Sequence, residues 1–343
     1  MKKLLNTLFI TTDGAYVKKE GESVVVMAEK QVKLRLPIHN LNGIVCFGRV
    51  ICSPALLGFC GQRGVAVSFL SSNGRFLARV QGVTSGNVLL RREQYRRAES
   101  LEQSAIIAKA FVLGKIFNCR TSLQRVLRDH PQNVGASAVQ SAIQHLSGLI
   151  EEVKDQNDLN VIRGSEGHAA QTYFSVLDHL VTTQKENFYF RGRNRRPPSD
   201  NMNALLSFVY TLLLHDIMAA LESVGLDPAV GFLHRDRPGR PSLALDMMEE
   251  FRPLIADRLV LALVNMRQVQ KNGFTKNEAG GVVMDDETRK TVLVAYQKRK
   301  QEEITHPFLE EQIPLGMLFF AQALLLARFL RKDMDGYPPF FWK

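Results

Sequence analysis

LFITT (8–12), SVVVMA (23–28), VKLRLPI (32–38), GIVCFG (43–48), VAVSFL (65–70) and RFLARV (75–80) decide how the first part of the chain folds. Each run is short, rich in β-branched residues and bounded by turn chemistry, the pattern of strands in a sheet. Two boundaries are the dipeptides Asp13-Gly14 and Asn73-Gly74, which accept the positive φ that a tight hairpin turn needs. Between strands, SPALLGFCGQRG (53–64) predicts one short helix. From residue 89 to residue 330 the apolar spacing becomes helical with few strand-like runs. Breaks fall at DHPQN (129–133), NRRPPSDN (194–201), LDPAVG (226–231) and HPFLEEQIP (306–314), where Pro, Asn and Asp supply loop chemistry. The expectation is an α+β chain of two domains, a small N-terminal β-sheet domain over 1–85 and a larger all-α domain over 86–343. The last residues, DMDGYPPFFWK (333–343), read as a short mobile tail.

The chain has 343 residues, enough for two cores, and 45% of them are hydrophobic. Its 44 Lys and Arg against 34 Asp and Glu leave a formal net charge of +10, which favours a polyanionic partner without specifying one. Cys46, Cys52, Cys60 and Cys119 show no CxxC spacing and are expected as reduced, buried thiols. The start MKKLLNTLFITTDG lacks a continuous apolar stretch and a small-residue cleavage site, so a first strand is expected there and not a signal peptide. IPLGMLFFAQALLLARFL (313–330) carries Gln322 and Arg328, which suits a buried helix better than a membrane span. A cytoplasmic protein with no membrane partner is the expectation.

Candidate chemistry lies in the helical part. Glu166 in RGSEGHAAQTYF is in phase with Ala170, Tyr173, Leu177 and Leu180 on a helix taken to start near Ser165, so its carboxylate points inward. Such a group asks for a cation, an arginine or a metal; the plainer alternative is a glutamate offsetting a helix dipole. His234 sits in a loop, followed by Asp246, Glu249 and Glu250 at i, i+3 and i+4 of SLALDMMEEFRP. Asp246 and Glu249 lie opposite the stripe Met247, Met248, Phe251, Leu254 and Ile255, so they are expected to face a cleft or solvent. Ser242 is the expected N-cap, and Pro253 should break the helix. Hard oxygen donors with one imidazole and no thiolate select Mg²⁺ or Mn²⁺, an ion suited to phosphodiester chemistry.

Cationic groups flank these residues: Arg191, Arg193, Arg195 and Arg196 in FYFRGRNRRPPSDN, then Arg235, Arg237 and Arg240. Their forks suit phosphate, and Phe188, Tyr189 and Phe190 offer stacking surfaces. RREQYRR (91–97) and the basic run around Arg299 could extend a phosphate track or simply be exposed helix faces. No GxxxxGK[ST] motif occurs, so no ATP-driven step is indicated.

In order and spacing, EGHAAQTYF (166–174), FRGRNRRPPSDNMNALLSFVYTLL (190–213), GLDPAVGFLH (225–234) and RPSLALDMMEEFRP (240–253) resemble the CRISPR-associated adaptation endonuclease and integrase, the near-universal first Cas protein. The wording of the blocks is similar to the subtype I-C branch. The resemblance covers almost the whole chain. It implies an N-terminal β domain used in homodimerisation and a helical domain with a Mn²⁺ or Mg²⁺ site. On the matching positions the metal ligands fall on Glu166, His234 and Glu249, with Asp246 a further ligand, a group orienting His234, or one acting on the DNA 3′ end. The implied activity is insertion of short foreign DNA into the CRISPR array by transesterification. The implied partners are short duplex DNA with 3′-hydroxyl ends, repeat DNA, and a small ferredoxin-like adaptation protein in a heterohexameric complex. Two other functions use the same residues: a structure-selective nuclease for branched or damaged DNA, and a non-catalytic DNA-binding scaffold.

Overall fold

The computed structural model describes residues 7–41, 43–71, 76–80, 82, 88–129, 135–195 and 197–342. Asn73, Gly74 and Arg196 lie outside them. The chain forms two compact units, Met1–Ser85 with Met284–Glu302, and Gly86–Val283 with Glu303–Lys343.

The first unit is built on two four-stranded sheets. β1 (Thr7–Ile10), β5 (Gly43–Phe47) and β7 (Ala66–Leu70) pair in parallel, and β8 (Phe76–Val80) adds antiparallel to β7. The other sheet has the order β4 (Gln31–Pro37), β3 (Ser23–Ala28), β2 (Tyr16–Glu20) and β6 (Ile51–Cys52). α1 (Pro54–Arg63) is the short helix expected between strands, capped by Ser53, whose Oγ accepts from Leu56 N at 3.2 Å. Val17, Val24, Val26, Ile44, Cys46, Leu56, Cys60 and Val67 share one core. The cysteines are free; Cys46 and Cys52 Sγ lie 3.8 Å apart, a thiol hydrogen bond and not a disulfide.

Asp13-Gly14 does not close a hairpin, because β1 and β2 belong to different sheets. Tight two-residue hairpins join β2 to β3 through Gly21-Glu22, and β3 to β4 through Glu29 and Lys30, the last two both at positive φ (52° and 62°). Neither Glu nor Lys advertises that backbone, so the second turn is set by strand pairing and not by local preference.

The second unit holds α2 (Val88–Glu99), α3 (Leu101–Asp129), α4 (Ala136–Lys154), α5 (Leu159–Ser175), α6 (Asn201–Ser223), α7 (Ser242–Met248) and α8 (Arg258–Asn265). Segment 274–314 is less helical than its spacing suggests. It contains β9 (Phe274–Lys276), β10 (Val282–Met284), α9 (Asp286–Gln301), which belongs to the first unit, and the antiparallel pair β11 (Glu303–Thr305) and β12 (Gln312–Pro314). α10 (Leu318–Leu330) follows as the expected buried helix.

α6 is long and apolar enough to cross a membrane, with a mean hydropathy of 1.8 over its best window. Its composition is explained by packing against α7, α8 and α10 within the unit, since a helix apolar on all sides is what a protein interior also requires. Asp200 caps it, accepting from Asn203 N at 2.7 Å.

Candidate functional site

α5 starts at Leu159, capped by Asp158, so Glu166 lies two turns inside the helix and not in its first turn. The dipole alternative therefore falls away. Its carboxylate pairs with Lys115 of α3, whose side chain is 6% exposed. Lys115 Nζ also stands 2.8 Å from Glu249 Oε2, and Arg252 Nη1 lies 2.8 Å from Glu249 Oε1. Glu166 and Glu249 thus converge on one cationic position. Glu249 Oε2 is buried, and the Lys115 ammonium is the ion partner it faces.

Burial pushes the Glu249 carboxyl up, and the charges of Arg252 and Lys115 outweigh it, holding its pKa down to about 2. Burial likewise lowers Lys115, and the carboxylates of Glu249 and Glu166 more than compensate, raising it above the ordinary lysine value. Neither Lys115 nor Arg252 was anticipated. Lys115 was findable: it sits in helical phase with buried Ala108, Phe111, Val112 and Cys119, where a lysine demands an acidic partner.

Asp246 and Glu249 are 0% and 1% exposed, not turned to a cleft or solvent. No face of α7 is left open, because the helix is enclosed: Ser242, Leu243, Ala244, Met247 and Met248 are buried as well. Nor does Ser242 cap the helix; the N-cap is Pro241, without a side-chain bond. Pro253 does end regular geometry, since α7 stops at Met248 and a π-helical turn, Arg252–Asp257, precedes α8.

Asp246 is saturated. Oδ2 accepts from Phe232 N (2.6 Å) and Leu233 N (2.9 Å), while Oδ1 accepts from His234 N (2.9 Å) and faces His234 Nδ1 at 2.6 Å. An acceptor so occupied has little left for an ion. It does fix the imidazole, because a proton held on Nδ1 and donated to Asp246 leaves the lone pair on Nε2. Gly231 makes this loop possible, since a Cβ there would lie 2.7 Å from Asp246 Oδ2 and 2.8 Å from the Ser242 backbone.

The four residues expected to form a cage therefore divide into two pairs, Glu166 with Glu249 and His234 with Asp246. His234 is near enough to Glu249 to lower its pKa electrostatically. Among the described residues no three His, Cys, Asp or Glu side chains stand together closely enough to hold an ion, and Lys115 occupies the ground between the two glutamates. The donor set nevertheless fits a hard divalent cation: two carboxylates already sharing a positive charge, one of them buried, and an oriented imidazole.

Beside this site Tyr210 donates to Asp257 Oδ1 at 2.6 Å, and burial raises the Asp257 carboxyl to about 6. Its folded pKa exceeds the ordinary 3.8, so the native state binds the extra proton between these values and stability falls as pH rises through that window. Asp257→Asn should flatten urea-midpoint-against-pH profiles there; an unchanged slope would refute the assignment.

Of the candidate phosphate contacts, Arg191, Arg195, Arg235 and Arg237 are exposed and Arg240 is half-buried. Arg193 is turned inward, donating to Asn203 Oδ1 (2.7 Å) and Ser207 Oγ (3.0 Å) and stacking on Tyr210. In the 91–97 run, Arg96 and Arg97 pair with Glu93, and Arg91 donates to Gly225 O at 3.1 Å.

Against known proteins, the family model "CRISPR associated protein Cas1" matches residues 8–298. A CRISPR-associated endonuclease Cas1 of Chlorobaculum tepidum is 56% identical over 343 residues, covering 100% of both chains. Among solved structures, a casposase bound to integration product superposes with a TM-score of 0.83 at 22% identity, covering 100% of this chain and 95% of that one. A Cas6-RT-Cas1–Cas2 complex gives a TM-score of 0.83 at 20% identity, covering 100% of this chain and 36% of that one. The β-sheet region followed by a mostly helical part is the fold of these neighbours, and the chain belongs to the CRISPR associated protein Cas1 family.

Proposed function

We propose that this protein is a divalent-metal-dependent DNA endonuclease and integrase that inserts short foreign DNA into a CRISPR array. The incoming 3′-hydroxyl attacks a repeat-boundary phosphodiester. The observation that carries this is the convergence of Glu166 and Glu249 on one cationic position. Both glutamates and His234 Nε2 would hold Mn²⁺ or Mg²⁺, with Lys115 moving aside and Asp246 orienting the imidazole. Bound there, the ion supplies positive charge beside the phosphate and lowers the pKa of the attacking hydroxyl. Strand transfer replaces one phosphodiester by another and needs no ATP. Incubating short duplex DNA bearing free 3′-hydroxyls with a supercoiled repeat plasmid and Mn²⁺ should give covalently joined, branched products. Nicking alone would identify a nuclease without integrase activity; no metal-dependent product would leave only a binding scaffold.

The arginines around His234 are assigned to the DNA backbone. Arg235 and Arg237 are exposed beside the site, and each neutralised phosphate contributes about 0.9 to the log-log salt slope. Arg237→Ala should reduce that slope by about 0.9, whereas an unchanged slope would remove Arg237 from the interface.

A homodimer through the first unit is supported by one row of side chains across its second sheet. Ile51, Tyr16, Met27 and Val32 are in register on neighbouring strands, and Ile51, Tyr16 and Val32 are 61%, 41% and 53% exposed. An apolar row of this kind is suited to burial against a second copy. Ile51→Asp should shift the sedimentation coefficient from dimer to monomer; an unchanged value argues against this face. A small ferredoxin-like protein completing a heterohexamer is proposed by analogy with the Cas2 named in the structural neighbour.

A further inference from the structure

The C-terminal residues do not hang free. Tyr337, Phe340 and Trp342 are 6%, 0% and 4% exposed, and they tie together the two elements that carry Lys115 and Glu249. On one side is the turn after α7. Tyr337 OH donates to Glu250 Oε1 at 2.7 Å, Phe340 N donates to Glu250 Oε2 at 2.8 Å, and Phe340 stacks on Phe251. On the other side is α3. Asn118 Nδ2 donates to both Phe340 O and Glu250 O at 2.8 Å, and Asn118 Oδ1 accepts from Trp342 N at 2.8 Å. Trp342 is covered by Arg125 of α3 and Arg258 of α8, 3.8 and 4.6 Å from its ring.

The turn needs such support. Glu249 N, Glu250 N and Phe251 N each bond to a carbonyl three residues back, and the π-helical turn containing Pro253 follows. Regular α-helical bonding therefore does not fix the direction in which Glu249 leaves the backbone. Close approach is built in on the α3 side as well, since a Cβ on Gly114 would lie 2.9 Å from Glu250 Cγ and 3.3 Å from Pro339 Cβ. Glu250, whose carboxyl burial pushes up to about 8, has no cation among its hydrogen-bond partners; these are Tyr337, Phe340 N and Gln322. It is an anchor for the strap, not a second ligand. The strap lies wholly beyond residue 298, where the match to the family model ends.

We propose that residues 337–342 form a positioning strap which, through Glu250 and Asn118, holds the Glu249 carboxylate against α3, beside the Lys115 position that it shares with Glu166 and that a bound ion would take. Asn118 and Tyr337 are positioning residues in this scheme, which rests on Glu249 being a metal ligand. Partners that orient a ligand typically contribute 10- to 100-fold to metal affinity.

The test is Mn²⁺ binding to the full-length protein, read by electron paramagnetic resonance of free and bound ion, with urea midpoints recorded in parallel. Asn118→Ala and Tyr337→Phe should each weaken Mn²⁺ binding, Asn118→Ala by about tenfold or more, and broaden the bound-ion spectrum. A chain ending at residue 336 should lose affinity similarly and regain it on addition of a peptide of residues 337–343. Glu166→Ala is the control for the metal site itself. If it abolishes Mn²⁺ binding while folded Asn118→Ala and Tyr337→Phe proteins bind as tightly as wild type, the strap is only structural and the proposal is overturned. If wild type takes up no Mn²⁺, or Glu166→Ala binds it equally well, the metal-site reading fails and the strap's role falls with it. Should the truncated chain not fold, the two point variants decide.

Discussion

Glu166→Ala is expected to reduce Mn²⁺-dependent cleavage and joining of DNA by about a thousandfold or more, roughly 4 kcal/mol of barrier. DNA affinity in EDTA should change little, because the exposed arginines are in other segments of the chain. The substitution removes one of the two carboxylates that share the Lys115 position while leaving Glu249 paired to Lys115 and Arg252. Folding should therefore survive, and a urea midpoint measured beside the activity assay separates lost chemistry from lost structure. Retention of full metal-dependent activity would remove Glu166 from the site.

Lys115→Met should produce the largest stability change. It leaves Glu249 buried with Arg252 as its remaining ion-pair partner and Glu166 without its ammonium partner. Removing one member of a buried ion pair typically costs about 3–5 kcal/mol. The pH dependence follows from the sign of the Glu249 shift. A carboxyl held at about 2 when folded, against an ordinary 4.5, contributes stability that is present above 4.5 and is lost as pH falls towards 2. Lys115 supplies part of that lowering, so the variant's deficit should be greatest near neutral pH and shrink in acid. Mn²⁺ should restore part of it, because an ion that binds only the native state stabilises by mass action. A Lys115→Met protein as stable as wild type at neutral pH would mean that the two glutamates are not coupled through this lysine.

Much of the architecture was legible from side-chain period alone. The six apolar runs of the first 80 residues, the short helix after Ser53 and the buried α10 are all set by patterns that repeat within a few residues, whereas β2 and β6 carry no such run and went unread. What escaped depends on contacts distant in sequence. The Glu29-Lys30 hairpin is forced by pairing of β3 with β4, and β11 and β12 pair across a Pro- and Glu-rich loop that reads as an interruption. In the site, the residue types pointed to an acidic, metal-suited centre, but orientation did not follow. Treating α7 as a one-sided amphipathic helix put Asp246 and Glu249 on an open face, whereas packing encloses both. The tail misled for a related reason. YPPFFWK resembles a fraying terminus until Asn118 and Glu250, more than 80 residues away, are brought beside it.

Anomalous diffraction at the manganese edge, from crystals soaked in Mn²⁺, tests the central claim most directly. The account predicts one strong peak coordinated by Glu166, Glu249 and Nε2 of His234, with the Lys115 side chain displaced and Asp246 still bound to Nδ1. A peak elsewhere, or none while Lys115 continues to bridge the two glutamates, would contradict it.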